Sequence, residues 1–305
     1  MIDIVIDARD AAISPVVKVK RILPFRFKRM VGPFIFMDHA GPISDIPKEP
    51  SSLDVLPHPH IGISTVSYLF AGKVTHRDSL GVEQVIRPGE VNWMTAGKGI
   101  AHSERFGDSS TTTDRELELI QTWVALPEKD EENEPTFHNY KIEQLPVFTD
   151  KGLWMRLIAG NAYGLKNDVK TNSSLFYLHL VLQQGEKFSL PKEHSERGIY
   201  IAKGSIEVGG KSFHQNQMLV FNKGAEPIII TKENSTLMAL GGDPLGERFI
   251  WWNFVSSRKE RIEQAKEDWK QGRIKLPPND NKEFIPLPED KFRLVNKPPN
   301  PEPLS

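Results

Sequence analysis

Two short patterns in this chain could do chemistry: His58-Pro59-His60 and, further on, His102-Ser103-Glu104. On an extended strand, side chains two residues apart point to the same face, about 7 Å apart along the chain. Each pattern is therefore a two-toothed clamp. Two clamps on facing strands would offer three imidazoles and one carboxylate to a single ion. Turn signals at Ala71-Gly72, Asp78 to Gly81 and Pro88-Gly89 let the chain run out and back between them, and Gly97-Lys98-Gly99 leads into the second. A lone HxH is commonplace. HxH followed by HxE in a glycine-punctuated β region is far more specific.

The ligand types narrow the ion without fixing it. Imidazole suits zinc, copper, iron and nickel, and a carboxylate disfavours soft Cu(I). The chain has no cysteine, which excludes disulfides, thiolate ligands, CxxC redox chemistry and a cysteine nucleophile. Four such ligands fit a closed, tetrahedral structural zinc. They equally fit an octahedral Fe(II) with two positions open to O₂, substrate or water.

The elements that must position the clamps read as β. Segments such as STVSYLFAGKVTH, EQVIRPGEVNWMTAG and ELELIQTWVALP are β-branched and aromatic runs bounded by Gly, Pro or Asp. An acidic, proline-punctuated stretch, PEKDEENEPTFHN, interrupts them and reads as a linker. The β pattern then resumes, and Tyr200 to Gly204 echoes Tyr68 to Gly72 while Met218 to Gly224 echoes Val91 to Gly97. The fold class expected is all-β, two related barrels with a C-terminal helix. The expected domains are 1–127 (metal-binding barrel), 128–140 (linker), 141–255 (second barrel without metal ligands) and 256–305 (helix and extended tail). Ser257-Arg258-Lys259-Glu260 reads as a capping box, followed by an apolar stripe of Ile262, Ala265 and Trp269. The closing KPPNPEPLS is expected to be extended or disordered.

Composition bounds the function. The 305 residues allow two domains, and 38% hydrophobic with 26% charged residues is an ordinary globular balance. A net charge of −1 gives no global attraction to nucleic acid or anionic lipid. No run approaches the ~18–20 apolar residues of a membrane span, so the expected location is the cytoplasm, or the nucleus for a eukaryotic source. No GxSxG, P-loop or dinucleotide fingerprint occurs.

The motifs resemble a known family. His58-Pro59-His60-Ile61-Gly62 with Thr65-Val66, then His76 to Gly81, then Pro88 to Glu104, preceded by Val31 to Pro42, are similar to the pirin family of the cupin superfamily. The likeness is strong over about residues 15–127, and the second half follows in family order. It implies two cupin barrels with one metal, usually iron, in the first, held by His58, His60, His102 and Glu104. The cofactor expected is thus one divalent ion, Fe(II) first, with Zn, Mn, Ni or Cu as alternatives. One departure is Ser64, where many pirins carry Glu, which suggests altered polarity around the site. Aligning Tyr200 with Tyr68 puts His194 opposite Gly62; aligning Gly224 with Gly97 puts Ile229 and Thr231 opposite His102 and Glu104. The second barrel therefore reads as lacking the clamps.

Two functions follow from the resemblance. One is an Fe(II)-dependent dioxygenase of quercetin 2,3-dioxygenase type acting on a small flavonol-like aromatic substrate, with Glu104 as ligand and catalytic base. The other is a non-catalytic regulator whose metal or redox state controls binding to a protein partner. A metal that merely staples the barrel is the plainest alternative. Outside the clamps, His39 and His76 read as structural and surface histidines, and Gln121 and Met94 as pocket-lining or core residues. His138, His179, His194 and His214 have no clamp partner.

Overall fold

The β-branched and aromatic runs form strands because branched side chains pack well on a pleated surface. The computed structural model describes residues 1–13, 17–44, 50–106, 116–288 and the backbone of 293–295. They build two sandwiches of cupin-like design, each a large sheet over a small one. In the first, the small sheet runs Val55–His60, Ile100–Arg105, Val74–Asp78, Glu83–Ile86. In the second it runs Lys187–Ser189, Ile228–Thr231, Ser205–Val208, Lys211–His214. The order and the antiparallel pairing are the same in both.

The internal echo in the sequence reflects this duplication. Tyr68 on Ile63–Ala71 pairs with Val91, and Tyr200 on Glu196–Lys203 pairs with Met218. The large sheets face each other, and Tyr68, Trp93 and Ile120 of the first share one apolar cluster with Tyr177, Tyr200 and Met238 of the second. The second sandwich is filled by a single apolar cluster that includes Phe176, Leu178 and Ile229. The first holds two separate clusters, one around Ile35 and Trp123, the other around Val55 and Leu69.

The chain's ends cross between the sandwiches. Strand Ile2–Asp7 pairs with Gln217–Phe221 of the second large sheet. The segment after residue 247 returns to the first sandwich, where Trp251, Phe254, Ile262, Ala265 and Trp269 pack with Ile61 and Ala101. Gly62, with φ of +68°, allows this approach: a Cβ there would lie 2.0 Å from the Val255 carbonyl oxygen.

Two local expectations need correction. The stretch 128–140 is not a bare linker: Thr136–Tyr140 is an edge strand paired with Val91–Thr95, its Phe137 and Tyr140 supplying apolar contacts that the surrounding charges obscure. The helix Lys259–Lys270 starts with Arg258 as N-cap and no side-chain cap. Ser257 cannot cap it because its Oγ and N–H both bind the buried Glu131, which also takes the Ser256 hydroxyl. The apolar stripe Ile262, Ala265 and Trp269 is buried as the helical spacing requires. The proline-rich end and, within the expected motif region, residues 15–16, 45–49 and 107–115 lie outside the described residues. Among the described residues no helix is long and apolar enough to cross a membrane.

Trp269, 6% exposed, ties this helix to the chain end through its indole N–H, which donates to the Ile285 carbonyl at 3.0 Å. Trp269→Ala should cost about 3–5 kcal/mol in chemical denaturation, the range for an aromatic truncated in a core. It should also weaken metal binding, whereas Phe176→Ala in the second sandwich should destabilise without doing so.

Candidate metal centre

Register pairing brings the two clamps together. On Ile100–Arg105, His102 stands directly opposite His58, and Ile100 opposite His60. Directly paired residues share a face, so the imidazoles of His58, His60 and His102 crowd one spot, with ring centroids 4.4–5.1 Å apart. One nitrogen of each lies within 4.8 Å of the other two, close enough for one ion to bridge all three. All three residues are buried. Burial holds His58 down to about 4 and His60 and His102 well below the ordinary 6.5, so at neutral pH each ring is uncharged and carries a lone pair.

Hydrogen bonds fix which nitrogen carries that lone pair. His58 Nδ1 meets the Leu56 carbonyl at 2.9 Å, and His60 Nδ1 meets the Asn253 carbonyl at 3.2 Å. A carbonyl only accepts, so both Nδ1 atoms bear hydrogen and both Nε2 atoms are left to bind. His102 Nδ1 lies 3.2 Å from His76 Nδ1, and its Nε2 is buried without a partner among the described residues. A neutral imidazole nitrogen left unpaired in a polar cluster is what a metal ligand looks like before the metal is considered.

Glu104 is placed differently. It lines the same cavity, but its carboxylate does not come within 4.8 Å of all three imidazole nitrogens. A strand irregularity between His102 and Glu104 sets Glu104 opposite Val55. No cation pairs with it among the described residues, and burial alone pushes its carboxyl up to about 7. Three neutral imidazoles beside a half-buried acid fit a cation well.

The cavity over this cluster has a volume of about 500 Å³. One wall is a pile of flat groups: the Arg21 guanidinium lies 4.7 Å over Phe36, which stacks on Trp123 at 4.1 Å, which meets His60 edge-on at 5.2 Å. Arg21 is fixed by a bidentate pair with Asp38, at 2.8 and 2.7 Å. Part of the lining, Trp251, Trp252, Asn253 and Ile285, comes from far along the chain, in a segment tied down at two points. Asp280 takes hydrogen bonds from Ser103 and Arg105, the residues flanking Glu104, and Ile285 donates its N–H to the Pro57 carbonyl at 2.8 Å. Trp252 also lines the cavity, in a left-handed turn with φ of 52°. That conformation costs a non-glycine residue of order 1 kcal/mol or more.

The remaining candidates sort clearly. Gln121 lines the cavity and accepts from the Ser67 hydroxyl at 2.8 Å, while Met94 is core. Ser64 does not line it; its hydroxyl bonds Thr95 at 2.9 Å in the interior. His39 lies between the sandwiches, bonded to Tyr200 and Glu118. His179 and His194 bond to Tyr68 and to the Asn161 carbonyl, away from the cavity. His76 is not a surface residue: it is 5% exposed and touches His102. Its signal was present in the sequence, because His76-Arg77-Asp78 has the same two-residue spacing as the clamps. Asn253, Trp252 and Asp280 gave no local signal.

Comparison with known proteins places this architecture. Residues 16–124 match the family model described as Pirin, and residues 177–275 the one described as Pirin C-terminal cupin domain. A "Pirin-like protein" of Caulobacter vibrioides is 53% identical over 95% of this chain and 100% of its own length. A Pseudomonas aeruginosa protein named "Putative quercetin 2,3-dioxygenase PA1205" is 37% identical over 88% of this chain and 83% of its own. Among solved structures, a quercetin 2,3-dioxygenase from Acinetobacter baumannii superimposes with a TM-score of 0.85 at 33% identity, covering 95% of this chain and 97% of that one.

The Glu104 carboxyl has a folded-state value raised above its ordinary 4.5. It therefore stabilises the metal-free fold below pH 4.5 and loses that contribution as pH rises through about 7. His58, lowered from 6.5 to about 4, does the reverse: its contribution is present above pH 6.5 and lost as pH falls toward 4. Glu104→Gln should thus match the parent in thermal unfolding at pH 4.5 with chelator and exceed it at pH 8. With metal added at pH 8 the order should invert. His58→Ala or His60→Ala should lower metal affinity by more than the about 10–100-fold that a supporting residue is worth, read by competition with a chromophoric chelator.

Proposed function

The chain belongs to the pirin family of the cupin superfamily, and on that premise we propose that it is a mononuclear metal-dependent dioxygenase of the quercetin 2,3-dioxygenase type. Its ligands are His58, His60, His102 and Glu104, its ion is iron, and its substrate is a planar, flavonol-like aromatic. The observation that carries this reading is the convergence of three free imidazole nitrogens at the floor of a cavity of about 500 Å³ whose wall is a stack of aromatic rings. A purely structural ion would need no such cavity.

A bound iron supplies Lewis acidity and one-electron chemistry toward O₂. The chain's own residues do the rest. The stacked Phe36 and Trp123 give the cavity an apolar wall against which an aromatic ring system packs, and Arg21, held by Asp38, caps the outer end of that stack. Glu104, whose carboxylate a bound cation would keep ionised, can take the proton of a substrate hydroxyl entering over the imidazoles. The C-terminal segment, through Trp252 and Ile285, keeps bulk water from one side of the cavity. Kinship to proteins named for this activity supports the substrate class.

The test is aerobic turnover of quercetin by iron-loaded protein, followed as oxygen uptake with release of carbon monoxide. Turnover that disappears in His58→Ala and falls, mainly through a raised KM, in Trp123→Ala is the expected result. Iron-loaded protein that leaves quercetin intact removes this substrate assignment and favours a partner-binding regulator.

A further inference from the structure

The small sheet of the first sandwich carries a third residue pair with the spacing of the clamps. On Val74–Asp78, His76 stands opposite Glu104 and Asp78 opposite His102 across the antiparallel ladder. Both are buried, Asp78 completely. Asp78 Oδ1 accepts the backbone N–H groups of Leu80 and Val82 at 2.9 and 3.1 Å, and Oδ2 lies 3.0 Å from His76 Nε2. Phe137 stacks on the His76 ring at 4.4 Å and holds its plane. The other ring nitrogen, Nδ1, points at His102 Nδ1 from 3.2 Å.

We propose that Asp78 and His76 are positioning residues that fix the tautomer of His102, so that its Nε2 always presents a lone pair to the metal. The proton bookkeeping runs in one direction. An ionised carboxylate only accepts, so His76 Nε2 carries the hydrogen facing Asp78. A neutral His76 then has a bare Nδ1, which can only accept. His102 must donate to it from Nδ1, and its Nε2, the buried nitrogen without a partner among the described residues, is left free. His58 and His60 achieve the same result with one backbone carbonyl each. His102 has no such carbonyl in its hydrogen-bond set and takes a two-residue chain instead.

The duplicated sandwich supplies an internal control. There Ile229 pairs with Phe188 and Val208, as His102 pairs with His58 and Asp78; Thr231 pairs with Ile206, as Glu104 pairs with His76. Where the positions of His58 and His102 hold Phe188 and Ile229, the positions of Asp78 and His76 are Val208 and Ile206, all four core. A carboxylate and imidazole kept only for folding would have no reason to vanish together with the clamps.

The inference rests on the metal centre of the proposed function but not on its substrate. Asp78→Asn is the decisive variant, because Asn keeps an oxygen for Leu80 and Val82 while its amide N–H₂ faces His76. That reverses every proton in the chain and puts hydrogen on His102 Nε2. Nitrogen-15 NMR of the metal-free protein should show His102 protonated at Nδ1 in the parent and at Nε2 in the variant. Metal titration against a chromophoric chelator, with Zn²⁺ as the probe, should show about 10–100-fold weaker binding, with metal-free thermal stability near the parent's. His76→Gln, which can still donate to Asp78 and accept from His102, should bind Zn²⁺ more tightly than His76→Phe. An Asp78→Asn protein with parental affinity and an unchanged His102 tautomer overturns the proposal. So does a loss of affinity that merely follows a loss of stability. If the parent binds no metal, the functional reading falls while the NMR comparison still decides the relay. If the relay behaves as expected but quercetin is untouched, only the substrate assignment falls.

Discussion

The centre depends on the pairing register of one short strand, Ile100–Arg105, between two neighbours. Antiparallel pairing with a two-residue side-chain period leaves no freedom: a slip by one residue would turn His102 and Glu104 to the other face. In the register adopted, His58 lies on one side of His102 and Asp78 on the other, so the candidate ligands and their proposed support come from the same ladder. The backbone hydrogen bonds therefore position the chemistry before any ion is considered.

The two sandwiches show what that arrangement costs. In the second, the equivalent positions hold Phe188, Ile206, Val208 and Ile229, and the interior is one apolar cluster. Burying such a side chain is worth about 1.5–3 kcal/mol. The first sandwich forgoes that at each histidine and is left with two smaller clusters. Its stability is partly made up from outside, by the shared core between the large sheets and by the C-terminal segment that packs Phe254 and Trp269 on Ile61 and Ala101.

That C-terminal segment joins stability to function. Within it, Asn253 orients His60, Trp252 lines the cavity in a costly backbone conformation, and Asp280 clamps the residues on either side of Glu104. Strain kept at a cavity wall, where a glycine would be free of it, is characteristic of positions held for a purpose other than folding.

Much of this was legible in the sequence. The two clamps, the β-rich duplicated design and the apolar stripe of the helix all follow from periodicities of two and 3.6 residues, which are local properties of the chain. The family motifs added the order of the barrels. The absence of cysteine also confined the candidate ligands to imidazole and carboxylate. Other features depended on contacts between residues far apart. Ser257 binds Glu131 and so does not cap the helix, and Thr136–Tyr140 finds an edge to pair with despite its acidic surroundings. His76 is buried because strands meet on both sides of it, and part of the cavity lining, Trp252 and Ile285, comes from far along the chain. Spacing along a chain determines which side chains share a face; which faces then meet is decided only when distant segments are packed against each other.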